Sequence, residues 1–307
     1  MFLHPTGKFD NSPRAYAHTE ARPLAAAMGA EIVGVQLSDV SAAAFAEIRD
    51  ALFRHKMIYF RDQRISHAEQ EAFARRFGLF AEDAYTKGVS GHPDVQPLIK
   101  EADARAGMVF GAGWHTDSPF LAAPPAISML YGVEIPPYGG DTIWANSALA
   151  YAMLSPTMQD MIAGLRVHMS MTKVVATAQA HQTPDDTPIG RVAATRDLAQ
   201  LPADIARKVA GALHPLVRSH PVTGEKSLYC DEVYATGIEG LTAPEADALL
   251  GFLVAHITQP AFTCRLRWAA GTFALWDNRL CVHQAFNDYD GFRRELYRST
   301  IAGEVPA

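Results

Sequence analysis

The chain has 307 residues and a net charge of −6. That mild acidity argues against nucleic acid or an anionic membrane as the main partner, since both call for clustered Lys and Arg, and it suits an enzyme acting on a small molecule. Cys230, Cys264 and Cys281 have no C-x-x-C spacing, so neither a disulfide framework nor a thiolate zinc site is indicated; with no basic-then-apolar leader and no apolar run of membrane-spanning length, the chain reads as cytoplasmic.

In chain order, residues 30–35 form a short strand pattern, residues 42–54 a helix with Phe45, Ile48, Ala51 and Leu52 on one side, and Met57 to Phe60 a buried strand. Ser66 and Glu69 make a capping box for a helix that Gly78 stops. Glycines break up the stretch from Tyr85 to Thr116, an irregularity that often carries function. Pro124-Pro125 admits a β-type run at 127–131, and residues 141–144 continue as another strand. Ser155-Pro156 starts a helix through Met158, Met161, Ile162 and Leu165, in which both methionines count as core. The polar excursion at 176–197 reads as a lid. Thr242 and Glu245 cap a helix ending near Ile257, and strands follow at 263–268, 272–276 and 296–301. Many strands, few helices and Gly/Pro-rich turns predict a mainly β chain with surrounding helices, a double-stranded β-helix (jelly-roll) core in a single domain over 1–307.

The pattern richest in chemistry is His115-Thr116-Asp117 with His283 far downstream. Residues i and i+2 of a strand share a face, so His115 and Asp117 reach one ion while Thr116 points away. Two imidazoles and a carboxylate on one side of an ion, with other positions open, make the facial triad of non-heme Fe(II) oxygenases. About one H-x-D triplet is expected by accident in a chain with this many histidines, and His92-Pro93-Asp94 is a second. Its proline marks a turn, whereas His115 lies between apolar runs.

Trp114-His115-Thr116-Asp117, Gly139-Gly140-Asp141-Thr142 and the run from Trp276-Asp277-Asn278-Arg279 through His283, Arg293-Arg294 and Tyr297-Arg298-Ser299-Thr300 together resemble the TauD/TfdA family of Fe(II)- and 2-oxoglutarate-dependent dioxygenases. The resemblance implies that His115, Asp117 and His283 hold Fe(II) and that O2 and 2-oxoglutarate are co-substrates. Arg294, eleven residues after the distal histidine, and Thr142 would then bind the remote carboxylate of 2-oxoglutarate. Chemistry agrees: guanidinium forks onto a carboxylate and a Thr hydroxyl donates a third bond. Arg294 and Arg298, four apart on a strand, share a face from which Arg293 is excluded.

Within the family, the runs 114–120, 123–125, 154–159, 228–229 with 233–234, and 262–265 resemble the aryloxyalkanoate (phenoxypropionate) dioxygenases, which implies that Tyr234 and Arg298 grip a substrate carboxylate. Tyr85, Thr86 and Met108 are further candidates to line the pocket. Relatives acting on taurine carry a histidine soon after the R-F-G motif and an asparagine four residues before H-x-D; here no histidine follows Gly78 until His92, and Gly111 stands at the second place. The expected function is hydroxylation of a small anionic substrate, an aryloxyalkanoate or related acid, with succinate and CO2 as co-products. An alkyl sulfonate or sulfate-ester dioxygenase is the runner-up. A zinc hydrolase leaves Thr142 and Arg294 without a role, and a non-catalytic jelly-roll sensor differs from the enzyme only in turnover. Homo-oligomerisation stays open.

Overall fold

The computed structural model describes residues 7–82, 88–104, 111–180 and 203–307. The strands are β1 (Glu20–Pro23), β2 (Ala30–Val33), β3 (Met57–Phe60), β4 (Gln96–Lys100), β5 (Ile127–Glu134), β6 (Thr142–Asn146), β7 (Arg166–Met169), β8 (Ala212–Pro215), β9 (Val217–Ser219), β10 (Lys226–Leu228), β11 (Ala235–Ile238), β12 (Thr263–Leu266), β13 (Phe273–Asp277), β14 (Cys281–Ala285) and β15 (Arg294–Ile301). Seven form one sheet in the order β1-β2-β3-β13-β5-β15-β4, and β12-β6-β14 form a smaller one. Apart from the parallel β2–β3 pair, these ladders are antiparallel. The jelly-roll core is this pair of sheets.

Period-two alternation explains why the central strands are buried on both faces. Ile58 and Phe60 of β3, and Phe273 and Leu275 of β13, pack with Phe45, Ile48 and Leu52 of helix α1 (Ala42–His55) and Phe73 of helix α2 (His67–Arg75). Their neighbours Met57, Tyr59, Ala274 and Trp276 point the other way. There they meet Trp144, Cys264 and Cys281 of the smaller sheet in one cluster with Trp268 and Leu296. All three cysteines are free and buried. Ser41 caps α1, and reciprocal capping boxes start α2 (Ser66 with Glu69) and the helix Ala243–Ile257 (Thr242 with Glu245).

Three expectations need correction, and two features were not expected at all. His115-Thr116-Asp117 is not on a strand: His115 makes an isolated bridge to His283, and the chain then bends through Ser118 at φ 45°. Met161 is 54% exposed, because the face of the helix Pro156–Ile162 that meets the core carries Met158 and Ile162 and leaves Met161 to solvent. A helix over Ser147–Ala152, capped by Asn146, and the sheet β11-β7-β8 were not anticipated. Finally, the first residues of the expected lid belong to the helix Thr172–Ala180, while 181–197 lie outside the described residues. Among the described residues no helix is long and apolar enough to cross a membrane.

Candidate active site

His115 and His283 are held by backbone before their side chains are considered. The His115 N–H donates to the His283 carbonyl at 2.9 Å and the His283 N–H returns a bond at 2.7 Å, which puts both imidazoles on one face, ring centroids 4.2 Å apart. The bend after Thr116 brings in Asp117, whose Oδ1 lies 3.8 Å from Nε2 of each histidine. One ligand atom from each of the three lies within 4.8 Å of the others, the only such group among the described residues.

The protonation states suit a cation. The Nδ1 of His115 lies 2.8 Å from the Gly113 carbonyl, which can only accept, so Nδ1 is the donor and Nε2 is the ring atom on the Asp117 side. Burial, reinforced by repulsion from His115, pushes His283 down to about 3, which keeps it neutral. Burial alone would raise the Asp117 carboxyl, but the Arg298 guanidinium and a hydrogen bond from Ser128 act against it, and the group stays below the usual carboxylate range. Neutral imidazole and ionised carboxylate are the forms a metal takes.

The co-substrate candidates converge on Trp268. Its indole N–H, a donor only, bonds Thr142 Oγ1 at 3.0 Å, so the threonine keeps its own proton to donate elsewhere. The Arg294 guanidinium lies 5.8 Å from the Trp268 ring and 5.7 Å from Tyr289, and its Nη2 donates to the Gly140 carbonyl at 3.0 Å. The Gly140 N–H is in turn held by Asp288 Oδ1. At Gly139, φ is +74° and an added Cβ would stand 2.4 Å from the Asp288 carbonyl oxygen, so glycine is required where the turn meets the 288 loop. Arg294 Nε is buried with no hydrogen-bond partner. A buried cationic donor without an acceptor leaves room for an anion.

Arg298 lies on the same strand, opposite Gln96 of β4 and Leu130 of β5, close enough to His283 and Asp117 to act on both electrostatically. Arg293 turns outward into ion pairs with Glu101, Glu134 and Glu295. Tyr234 is buried, its ring 5.4 Å from Phe120 and 6.4 Å from His115. Tyr85, Thr86 and Met108 lie outside the described residues.

Residues with no role anticipated from the sequence support the H-x-D turn from behind. Buried Asp231 accepts from the Thr116 N–H at 3.2 Å and the Tyr234 N–H at 2.6 Å. Its burial raises the carboxyl to about 6, against those same backbone bonds. Glu232 exchanges bonds with Trp114: its N–H donates to the Trp114 carbonyl, and its side chain accepts from the Trp114 N–H. No spacing rule links residues 114–117 to 231–234, so only the tertiary pairing reveals the latch.

Residues 20–300 match the model of the family described as taurine catabolism dioxygenase TauD, TfdA family. The chain belongs to that family. TauD/TfdA enzymes are dioxygenases that use Fe(II), 2-oxoglutarate (alpha-ketoglutarate) and O2, and this protein is one of them. It is 35% identical over 290 residues to an alpha-ketoglutarate-dependent sulfate ester dioxygenase of Pseudomonas putida, covering 94% of this chain and 90% of the relative. It is 30% identical over 289 residues to an (S)-phenoxypropionate/alpha-ketoglutarate-dioxygenase of Sphingobium herbicidovorans, covering 92% and 94%. Among solved TauD/TfdA-like structures, a taurine dioxygenase from Burkholderia xenovorans superimposes with a TM-score of 0.77 at 37% identity, covering 95% of this chain and 91% of that one.

Proposed function

We propose that this dioxygenase hydroxylates a small organic anion at a carbon bearing an ether or ester oxygen, within a single catalytic domain. His115, Asp117 and His283 hold Fe(II), Thr142 and Arg294 hold the far carboxylate of 2-oxoglutarate, and Arg298 with Tyr234 receives the anionic head of the substrate. The observation that carries this reading is the pair of arginines on β15. Arg294 presents a buried Nε without an acceptor beside Thr142 and Trp268, and Arg298 lies near Asp117 and His283. Two inward cations suit two anions, one for each organic substrate.

The bound iron, with 2-oxoglutarate and O2, supplies the oxidising power that converts a substrate C–H to C–OH while 2-oxoglutarate leaves as succinate and CO2. The chain's own part is placement. The His115–His283 bridge and the Asp231 latch fix the three ligands, Trp268 orients the Thr142 hydroxyl, and Arg298 anchors the substrate so that one C–H faces the iron. When the hydroxylated carbon carries an aryl ether oxygen, the product is a hemiketal or hemiacetal that separates into a phenol and an oxo acid.

Aryloxyalkanoates are the first substrate class by the runs at 114–120, 123–125 and 228–229 with 233–234. Sulfate esters are the second reading, favoured by the 35% identity to the enzyme named for them; hydroxylation next to the ester oxygen would release sulfate and an aldehyde. The test is succinate formation under air with Fe(II) and 2-oxoglutarate, screened across aryloxypropionates, alkyl sulfates, alkyl sulfonates and taurine. Matched release of phenol and succinate supports the first class, and matched release of sulfate and succinate supports the second. Stimulation by taurine or another sulfonate alone would overturn the O-linked substrate, and the absence of succinate formation with every compound screened would favour the non-catalytic sensor.

A further inference from the structure

We infer that Ser128 is a positioning residue of the metal centre, the last link of a hydrogen-bond relay from Trp276 through Asn278 that confines Asp117 to binding through one oxygen. The inference rests on the reading of Asp117 as an iron ligand.

The direction of every bond in the relay follows from its first member. An indole N–H only donates, and Trp276 Nε1 lies 2.9 Å from Asn278 Oδ1. That contact decides which end of the amide is oxygen, an assignment otherwise open to a flip. The amide nitrogen therefore faces the other way, where Nδ2 donates to Ser128 Oγ at 2.8 Å. A serine hydroxyl has one proton. With its oxygen accepting from the amide, that proton goes to the remaining neighbour, Oδ2 of Asp117. Oδ2 is thus engaged, while Oδ1 is the atom 3.8 Å from both histidine Nε2 atoms.

The relay lies inside the core. Trp276 and Ser128 stand directly opposite each other on β13 and β5, and Ser128, Asn278 and Trp276 are all buried. The main-chain carbonyl of Asn278 also accepts from Thr116 Oγ1 at 2.9 Å, so one residue steadies both the Thr116 side chain in the H-x-D turn and, through Ser128, the carboxylate beyond it. A free carboxylate can chelate an ion with both oxygens, which would fill a position that the facial triad leaves open for other ligands. Engaging Oδ2 keeps the protein's share of the coordination at three atoms.

The test compares Ser128→Ala and Ser128→Thr with the parent protein, using anaerobic dissociation constants for Mn(II) and the visible absorption of bound Co(II). The alanine variant should bind Mn(II) about 10- to 100-fold more weakly, as is typical when a partner of a metal ligand is lost, and its Co(II) bands should shift. Threonine, which retains the hydroxyl, should restore both. A role confined to core packing would lower the Tm of the metal-free protein without a selective loss of metal affinity. An alanine variant within about twofold of the parent in Mn(II) affinity and with unchanged Co(II) bands would overturn the relay, as would a threonine variant of parental metal-free Tm that restores neither. His283→Ala separates the two levels of inference: if it too leaves Mn(II) binding unchanged, the metal-centre reading has failed, and the relay with it.

Discussion

His115 and His283 exchange reciprocal backbone hydrogen bonds, 2.9 and 2.7 Å, across an isolated antiparallel bridge. Residues paired in this way project side chains to the same side, so the shared orientation of the imidazoles is a property of the backbone. The Trp144 and Trp276 rings, 6.5 and 4.8 Å from that of His283, then limit where its imidazole can swing. Replacing either histidine by alanine leaves the bridge intact, which makes such variants clean probes of the side chains.

Arg293 and Arg294 are neighbours with opposite surroundings, and their alanine variants should separate sharply. Arg294→Ala should raise the 2-oxoglutarate requirement tens- to hundreds-fold, the loss of a charge-assisted contact of about 2–4 kcal/mol. Arg293→Ala removes solvent-screened ion pairs with exposed glutamates and should leave the requirement nearly unchanged. Titration of 2-oxoglutarate against both variants is the check; equal effects would show that the strand register has been misread.

Thr142→Val should affect both binding and stability, because the hydroxyl serves Trp268 as well as the co-substrate. The buried indole N–H left without an acceptor should cost about 1–3 kcal/mol in thermal unfolding. Thr142→Ser should recover both quantities. If the valine variant keeps the parent's 2-oxoglutarate affinity, Thr142 belongs to the core alone.

Arg298→Leu should impair substrate-coupled succinate formation while leaving most 2-oxoglutarate binding intact, because Arg294 retains the co-substrate. The check is the KM for the stimulating substrate beside the dissociation constant for 2-oxoglutarate. A loss confined to the co-substrate would exchange the roles assigned to the two arginines.

Stability should fall in acid partly through His55, which is buried with Nδ1 2.7 Å from Asn11 Oδ1 and Nε2 unpartnered. Burial, then Arg54 and Lys56, push it down to about 4 from an ordinary value of 6.5. The unfolded chain therefore takes up a proton first, and stability declines as pH falls from about 6.5 toward 4, with no contribution above that window. Tm followed across this range should drop less steeply in His55→Gln, and parallel curves for the two proteins would contradict the assignment.

Much of the candidate site's layout was legible because it obeys short-range periodicity. Arg294 and Arg298 share a face by strand spacing, Arg293 does not, and capping residues such as Ser66 and Glu69 mark helix starts from local hydrogen bonding alone. The i, i+2 argument for His115 and Asp117 reached the right grouping through the wrong element, since Ser118 at positive φ ends the extended run at once. What stayed hidden depends on which strands become neighbours. Ser128 reads in sequence as one more residue of a β-type run, and only the β5–β13 register puts it opposite Trp276 and beside Asp117. Asp231 meets Thr116 through a loop contact that no pattern encodes.

The central claim, that His115, Asp117 and His283 hold the iron to which 2-oxoglutarate binds, is tested most directly by anaerobic titration of the protein with Fe(II) and 2-oxoglutarate, followed in the visible region. The parent protein should develop the weak charge-transfer band of a chelated keto acid, and His115→Ala and His283→Ala should lose it. An undiminished band in both variants would place the iron elsewhere and contradict the assignment.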